Sequence, residues 1–312
     1  HYLDTVGVTG SIPVSPTPLE IKGSRMALMV VIGLGRSGIA AAKLLRSEGH
    51  QVVILEKQKG ASASQKAKFL KDLGVQVELG QELTFKNFAP WLNEIEKVII
   101  SPGVNWQHPA LNSLRTHGIQ VEGEIGLAWE RLKGFPWIGV TGTNGKTTIT
   151  HLLSHILENN GLIAPMGGNV GHAATEIALA IKNKKCIYPD WLVMELSSYQ
   201  IETAPSLSPE IGIWSNLSPD HLDRHGSIAN YRAIKSGLLE RSSTRIFNGD
   251  CPDLKNQRQK KLWNHGIWIS TKGKGRETDP ADFWINEQGF VESKEEVLFD
   301  IASTSIKGEH SL

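Results

Sequence analysis

The run Gly139-Val140-Thr141-Gly142-Thr143-Asn144-Gly145-Lys146-Thr147-Thr148 has the residue types and spacing of a phosphate site. It follows the apolar stretch Phe135-Pro136-Trp137-Ile138 and precedes an amphipathic run from Ile149 to Leu157. That order reads as strand, glycine-rich turn, helix start. Backbone N–H groups in such a turn converge on one point, and the helix dipole adds partial positive charge there. Lys146 brings a full charge to the phosphates, and the Thr147 hydroxyl can ligate Mg²⁺. Gly142, Thr143, Asn144, Gly145 and Thr148 complete the cradle. A strict phosphate loop has a glycine where this chain has Val140, so the loop is a variant.

A second candidate constellation lies upstream. Ala27 to Ile32 is a continuous apolar run, as expected of a strand buried on both faces. Gly33-Leu34-Gly35-Arg36-Ser37-Gly38 follows, then a helix from Ile39 to Ser47, then a strand from Gln51 to Leu55 that closes with Glu56. This is a β-α-β unit with G-x-G-x-x-G and an acid at the next strand end, the pattern of a dinucleotide-binding domain. Alone it certifies a helix N-terminus facing an anion, not which anion. Val75 to Leu79 and Lys97 to Ile100 read as further strands, the latter capped by Ser101-Pro102-Gly103.

Past the phosphate loop, Gly167-Gly168-Asn169-Val170-Gly171 reads as a tight turn. Trp191-Leu192-Val193-Met194 reads as a strand ending in Glu195, where a neighbour of the phosphate-loop strand holds Mg²⁺ in nucleotide hydrolases. A strand over Ile211–Ser215 leads into Asp220-His221-Leu222-Asp223-Arg224, and then a helix with Tyr231, Ile234, Leu238, Leu239 and Lys235 on one face. Taken singly, His221 reads as a hydrogen-bonded structural histidine and Lys235 as a solvated lysine.

The alternation of strands and helices reads as α/β, and bulk properties fit a soluble enzyme of two domains: 312 residues, 40% apolar, 33 basic against 32 acidic residues. A net charge of +1 gives no electrostatic case for nucleic acid or an anionic membrane, and no apolar run is long enough to span a bilayer. Cys186 and Cys251 form no disulfide framework or zinc site, which points to a reducing cytoplasm. Residues 1–25, with Pro13, Pro16 and Pro18, read as a flexible leader, 26–124 as a Rossmann-like parallel-sheet domain, and 125–306 as a central P-loop-type ATPase α/β domain.

Four motifs in order resemble the Mur ligases, the ATP-dependent amide ligases of the peptidoglycan peptide. They are the Gly142–Thr147 loop, the Gly168-Asn169 turn, Glu195-Leu196-Ser197-Ser198 and Asp220-His221-Leu222-Asp223-Arg224. The Glu195–Glu202 run, Val31-Ile32-Gly33-Leu34-Gly35 and Ser101-Pro102-Gly103 are similar to the D-glutamate-adding branch of that family.

That resemblance implies that the first domain binds the uridine diphosphate of UDP-N-acetylmuramoyl-L-alanine rather than NAD. Arg36 and Ser37 would meet the diphosphate, Glu56 and Lys57 would flank the uracil, Gly103 would lie beside the nucleotide, and Asn169 would contact the UDP-sugar. Lys146 would neutralise ATP, Thr147 and Glu195 would ligate Mg²⁺, and His221 would ligate a second Mg²⁺ with Lys235 as a carbamate. Glu56 and Gln58 depart from the family's common Asp and Arg, which leaves the uracil contacts open. D-glutamate would be the incoming amine and the working form a monomer. The resemblance also implies a third domain, beginning near Ile306-Lys307-Gly308-Glu309-His310, that binds the amino acid, so that residues 307–312 would be only its start and this chain alone would lack the D-glutamate site. Another Mur ligase, a folylpolyglutamate synthase-like ligase, and a non-catalytic nucleotide-binding remnant stay open. A nicotinamide oxidoreductase leaves the phosphate loop unexplained.

Overall fold

The computed structural model describes residues 26–260, 263, 265–276 and 279–303. The leader over 1–25 and the junction over 307–312 lie outside these residues.

The first sheet is all parallel, built from β1 (Leu28–Ile32), β2 (Gln51–Glu56), β3 (Gln76–Leu79), β4 (Ile95–Ile100) and β5 (Gln120–Gly123), in the order β3-β2-β1-β4-β5. Crossovers include α1 (Arg36–Ser47), α2 (Ala61–Asp72) and α3 (Pro109–Thr116). Every residue of β1 is buried, as its unbroken apolar run requires. α1 starts at Arg36, earlier than the apolar period suggests, because Gly35 caps it in an extended conformation. β4 starts at Ile95 and buries Lys97, whose ammonium lies 2.7 Å from Glu122 and 2.8 Å from Glu130. The paired charges make that burial tolerable.

α4 (Glu124–Leu132) joins the two sheets. The second sheet contains β6 (Trp137–Thr141), β7 (Met166–Gly168), β8 (Leu192–Glu195), β9 (Ile211–Trp214), β10 (Thr244–Asn248) and β11 (Ile267–Ser270). Its helices are α5 (Lys146–Asn159), α6 (Ala174–Lys182), α7 (Ser198–Glu202), α8 (Leu222–His225), α9 (Ile228–Arg241) and α10 (Pro252–Gln259). A short pair, β12 (Gly275–Arg276) and β13 (Asp279–Pro280), stands apart from the sheet. β14 (Phe283–Ile285), β15 (Phe290–Ser293) and β16 (Val297–Asp300) extend its edge. The order is β16-β15-β14-β11-β10-β9-β6-β8-β7, parallel from β14 to β7 and antiparallel across β14-β15-β16.

Two readings shift. Gly167 and Gly168 end β7 rather than open a turn, and the turn proper begins at Asn169. Helix α5 begins at Lys146, since Gly145 caps it with φ +77°, so Lys146, Thr147 and Thr148 form the first helical turn.

One apolar core runs through both sheets. It joins Val31, Ile54 and Ile99 of the first to Trp137, Met194 and Trp214 of the second by way of Ile125, Leu127 and Leu132 on α4 and Ile177 on α6. That shared core fixes the two sheets relative to each other. Cys186 is exposed and Cys251 buried, and both are free thiols. No helix among the described residues is long and apolar enough to cross a membrane.

Candidate functional site

The phosphate loop is held by the end of β9. Ser215 Oγ donates to the Asn144 carbonyl at 2.8 Å. Asn216 Oδ1 accepts from the Thr143 and Asn144 N–H groups at 3.1 and 2.9 Å, and its Nδ2 donates back to the Asn144 carbonyl at 3.1 Å. The first bond of α5 runs from Ile149 N–H to the Gly145 carbonyl at 3.0 Å, so the N–H groups of Lys146, Thr147 and Thr148 precede the helical ladder and face an incoming anion. Lys146 is half-buried and its ammonium donates to the Thr143 carbonyl at 2.8 Å. Burial pulls its pKa down, against Glu195 and Asp220, which raise it.

Glu195 is buried at the end of β8, next to β6. One carboxylate oxygen accepts from the Thr147 hydroxyl and the other from Asn169 Nδ2, both at 2.8 Å. The strand ends there because Ser197 and Gln200 form a reciprocal capping box that starts α7. Gly168 has φ +98°, and a Cβ there would stand 2.3 Å from the Glu195 carbonyl oxygen, so only glycine lets β7 pass so close to β8. The Thr147–Glu195–Asn169 set is oxygen-rich. Among the described residues no three His, Cys, Asp or Glu side chains converge, yet Mg²⁺ is commonly held by one or two carboxylates plus a substrate's phosphates, and a single carboxylate with a hydroxyl beside a phosphate loop fits that chemistry.

Lys235 is not the solvated lysine that its type suggests. It is 1% exposed, and its ammonium donates to Thr141 Oγ1 at 3.2 Å and to the Gly142 carbonyl at 2.9 Å, with the Tyr231 ring 4.7 Å away. Burial drives its pKa to about 7, helped by Lys146 and opposed by Asp220. His221 is also misread when taken alone. It sits at φ +51°, half-exposed, with Nε2 3.5 Å from Asp220 Oδ2 and its ring 5.2 Å from Tyr199. The hydrogen-bonded structural histidine is His225, buried with Nε2 2.9 Å from Ser198 Oγ.

On the first sheet, the Glu56 carboxylate accepts from the Leu34 and Gln58 N–H groups at 2.6 and 2.8 Å. It borders a cleft of about 260 Å³ with Gly35, Gln58, Ser62 and Lys66. Lys57 points instead to Glu82, 3.1 Å away. Ser37 lies in the first turn of α1, and Gly103 is exposed past the end of β4. Arg36 reaches the second sheet, where its guanidinium donates to the Gly171 and Asn169 carbonyls at 2.9 and 3.1 Å. Arg224 crosses the other way, donating to the Val104 carbonyl at 2.9 Å. A separate groove of about 290 Å³ at the ends of β10 and β11, with Lys255, Arg258 and Lys272, shares no residue with this constellation.

The sequence named Lys146, Thr147, Asn169 and Glu195, and the fold brings them into one cluster. It assigned no role to Ser215, Asn216 or Lys66. The position of Ser215-Asn216 at the end of the strand beside β6 was the available signal.

Fold and site together define the class, a P-loop-type α/β protein with a Rossmann-like partner sheet. Residues 140–312 match the Mur ligase middle domain and residues 27–123 the MurD-like N-terminal domain of Mur ligases. The chain belongs to the Mur ligase family. It is 54% identical over 287 residues to a UDP-N-acetylmuramoylalanine–D-glutamate ligase of Prochlorococcus marinus (strain MIT 9313), and 51% identical over 286 residues to the ligase of that name from Synechococcus sp. (strain CC9605). Each alignment covers 92% of this chain and 62% of the relative, so the chain spans less than two thirds of those proteins' length. The fold is also that of a UDP-N-acetylmuramate:L-alanyl-gamma-D-glutamyl-meso-diaminopimelate ligase from Neisseria meningitides, with a TM-score of 0.56 at 17% identity over 92% of this chain and 90% of that one.

Proposed function

We propose that this chain carries the UDP-N-acetylmuramoyl-L-alanine site and the ATP-phosphate site of a ligase that adds D-glutamate. The observation that carries the reading is the junction of the two glycine turns, where Arg36 at the start of α1 touches the Asn169 turn that also holds Glu195. A substrate lying on the first sheet would point its acyl end at the phosphate loop.

The reaction proceeds in two steps. The substrate carboxylate attacks the γ-phosphorus of ATP, giving an acyl phosphate and ADP. The D-glutamate amine then attacks the acyl carbon, giving an amide and inorganic phosphate. Lys146 and the first-turn N–H groups of α5 stabilise charge on the transferred phosphoryl group, so the protein's part is positioning and electrostatics. Thr147 and Glu195 would hold Mg²⁺, which supplies Lewis-acid neutralisation of the phosphates. Ser37 and the first turn of α1 would meet the diphosphate, and Glu56 the uracil side of the cleft, with Gly103 beside the nucleotide. Lys235, with a pKa of about 7, has a neutral amine available to add CO₂ as a carbamate with release of one proton. The resulting anion and His221 would hold a second Mg²⁺.

Titrating the chain with UDP-N-acetylmuramoyl-L-alanine and with NAD by calorimetry separates the readings. The uridine nucleotide should bind and NAD should not. Binding of NAD with no heat from the uridine nucleotide would make the first sheet a dinucleotide site and overturn the proposal.

A further inference from the structure

We infer that Arg36 is a positioning residue that sets the geometry of the divalent-cation carboxylate from the other sheet. The inference deepens the phosphate-site reading and rests on it.

Asn169 is tethered at three points. Its carbonyl accepts from Arg36 at 3.1 Å, its N–H donates to the Glu195 carbonyl at 2.9 Å, and its side-chain amide donates to Glu195 Oε1 at 2.8 Å. Thr147 holds the other Glu195 oxygen at 2.8 Å. The carboxylate plane is therefore fixed from one side by the phosphate-loop helix and from the other by Asn169. Asn169 stands in a turn flanked by two glycines with positive φ, Gly168 and Gly171, and closed at its base by the bond from the Gly168 N–H to the His172 carbonyl at 2.8 Å. Arg36 braces the tip of that turn by donating to both the Asn169 and the Gly171 carbonyls. A planar guanidinium spans two acceptors, which a single ammonium cannot do as well. Arg36 is also the first residue of α1, whose N-terminus follows the first glycine turn. A diphosphate bound there would sit beside the same side chain, which places the nucleotide subsite and the cation subsite on one linkage of hydrogen bonds.

The test uses the full chain, a non-hydrolysable ATP analogue, and Mg²⁺ varied from EDTA to saturation. Arg36→Met should raise the Mg²⁺ concentration for half-maximal nucleotide binding roughly tenfold, as loss of an outer partner of a metal ligand does. Affinity for the ATP analogue in EDTA, read at the phosphate loop over 142–148 to which Arg36 makes no hydrogen bond among the described residues, should stay parental. Arg36→Lys should recover part of the Mg²⁺ response, and Arg36→Met combined with Asn169→Ala should be no worse than Asn169→Ala alone. A parental Mg²⁺ requirement in Arg36→Met would overturn the role, as would an equal loss with and without the metal. A parent chain that binds no nucleotide in either condition would overturn the phosphate-site reading itself, and the role with it.

Discussion

Replacing Lys146 by Ala should weaken ATP binding by about 1.5–3 kcal/mol, roughly 10- to 150-fold in Kd, because a charge-assisted contact to phosphate is lost. The fold should survive. The Lys146 ammonium donates to the Thr143 carbonyl at 2.8 Å, while the loop is carried by Ser215 and Asn216 through bonds that the substitution leaves intact. Burial penalises its charge and lowers its pKa, against Glu195 and Asp220, and a bound phosphate would compensate that penalty. Calorimetric titration together with a thermal melt checks both halves. A variant that binds ATP as the parent does would show that the loop is not a phosphate site.

Lys235 should make the parent's stability rise with pH relative to Lys235→Met. The ordinary lysine pKa of 10.5 falls to about 7 in the folded chain. Between those values the unfolded chain holds a proton that the folded chain has released, so raising the pH favours folding. Below pH 7 both states are protonated and the burial penalty is complete. Above 10.5 it is gone. Met fills the same space without charge, so the stability difference should shift in the parent's favour by a few kcal/mol, to order of magnitude, across that window. The bonds from Lys235 to Thr141 Oγ1 and the Gly142 carbonyl add an offset, and the slope is the diagnostic. Urea unfolding in CO₂-free buffers at several pH values measures it. A pH-independent difference would mean that Lys235 stays charged where it lies.

The strand–loop–helix of the phosphate site was legible because its signals are local: an apolar run, glycines at fixed spacing, and a lysine at the helix start. Glu195 was legible for the same reason, as an acid closing an apolar strand. The burial of Lys235 was not legible from its type, because a lysine favours solvent and only its company with Tyr231, Leu238 and Leu239 on one helical face, and the family resemblance, hinted otherwise. The Arg36–Asn169 contact joins residues 133 positions apart, and no periodicity or motif encodes such a meeting. Lys57 and Lys66 show the same limit on a smaller scale. Both follow β2, and only the fold shows that the first turns to Glu82 while the second borders the Glu56 cleft.

The placement of the two ligands on either side of the Arg36–Asn169 junction is the central claim, and paramagnetic relaxation tests it most directly. The chain is loaded with a non-hydrolysable ATP analogue and Mn²⁺, and UDP-N-acetylmuramoyl-L-alanine is then observed by proton NMR. With the uracil end on the Glu56 cleft and the acyl end directed past Asn169 to Glu195, the L-alanyl methyl signal should broaden well before the uracil ring signals. Broadening of the uracil first, or of neither end, would contradict that placement.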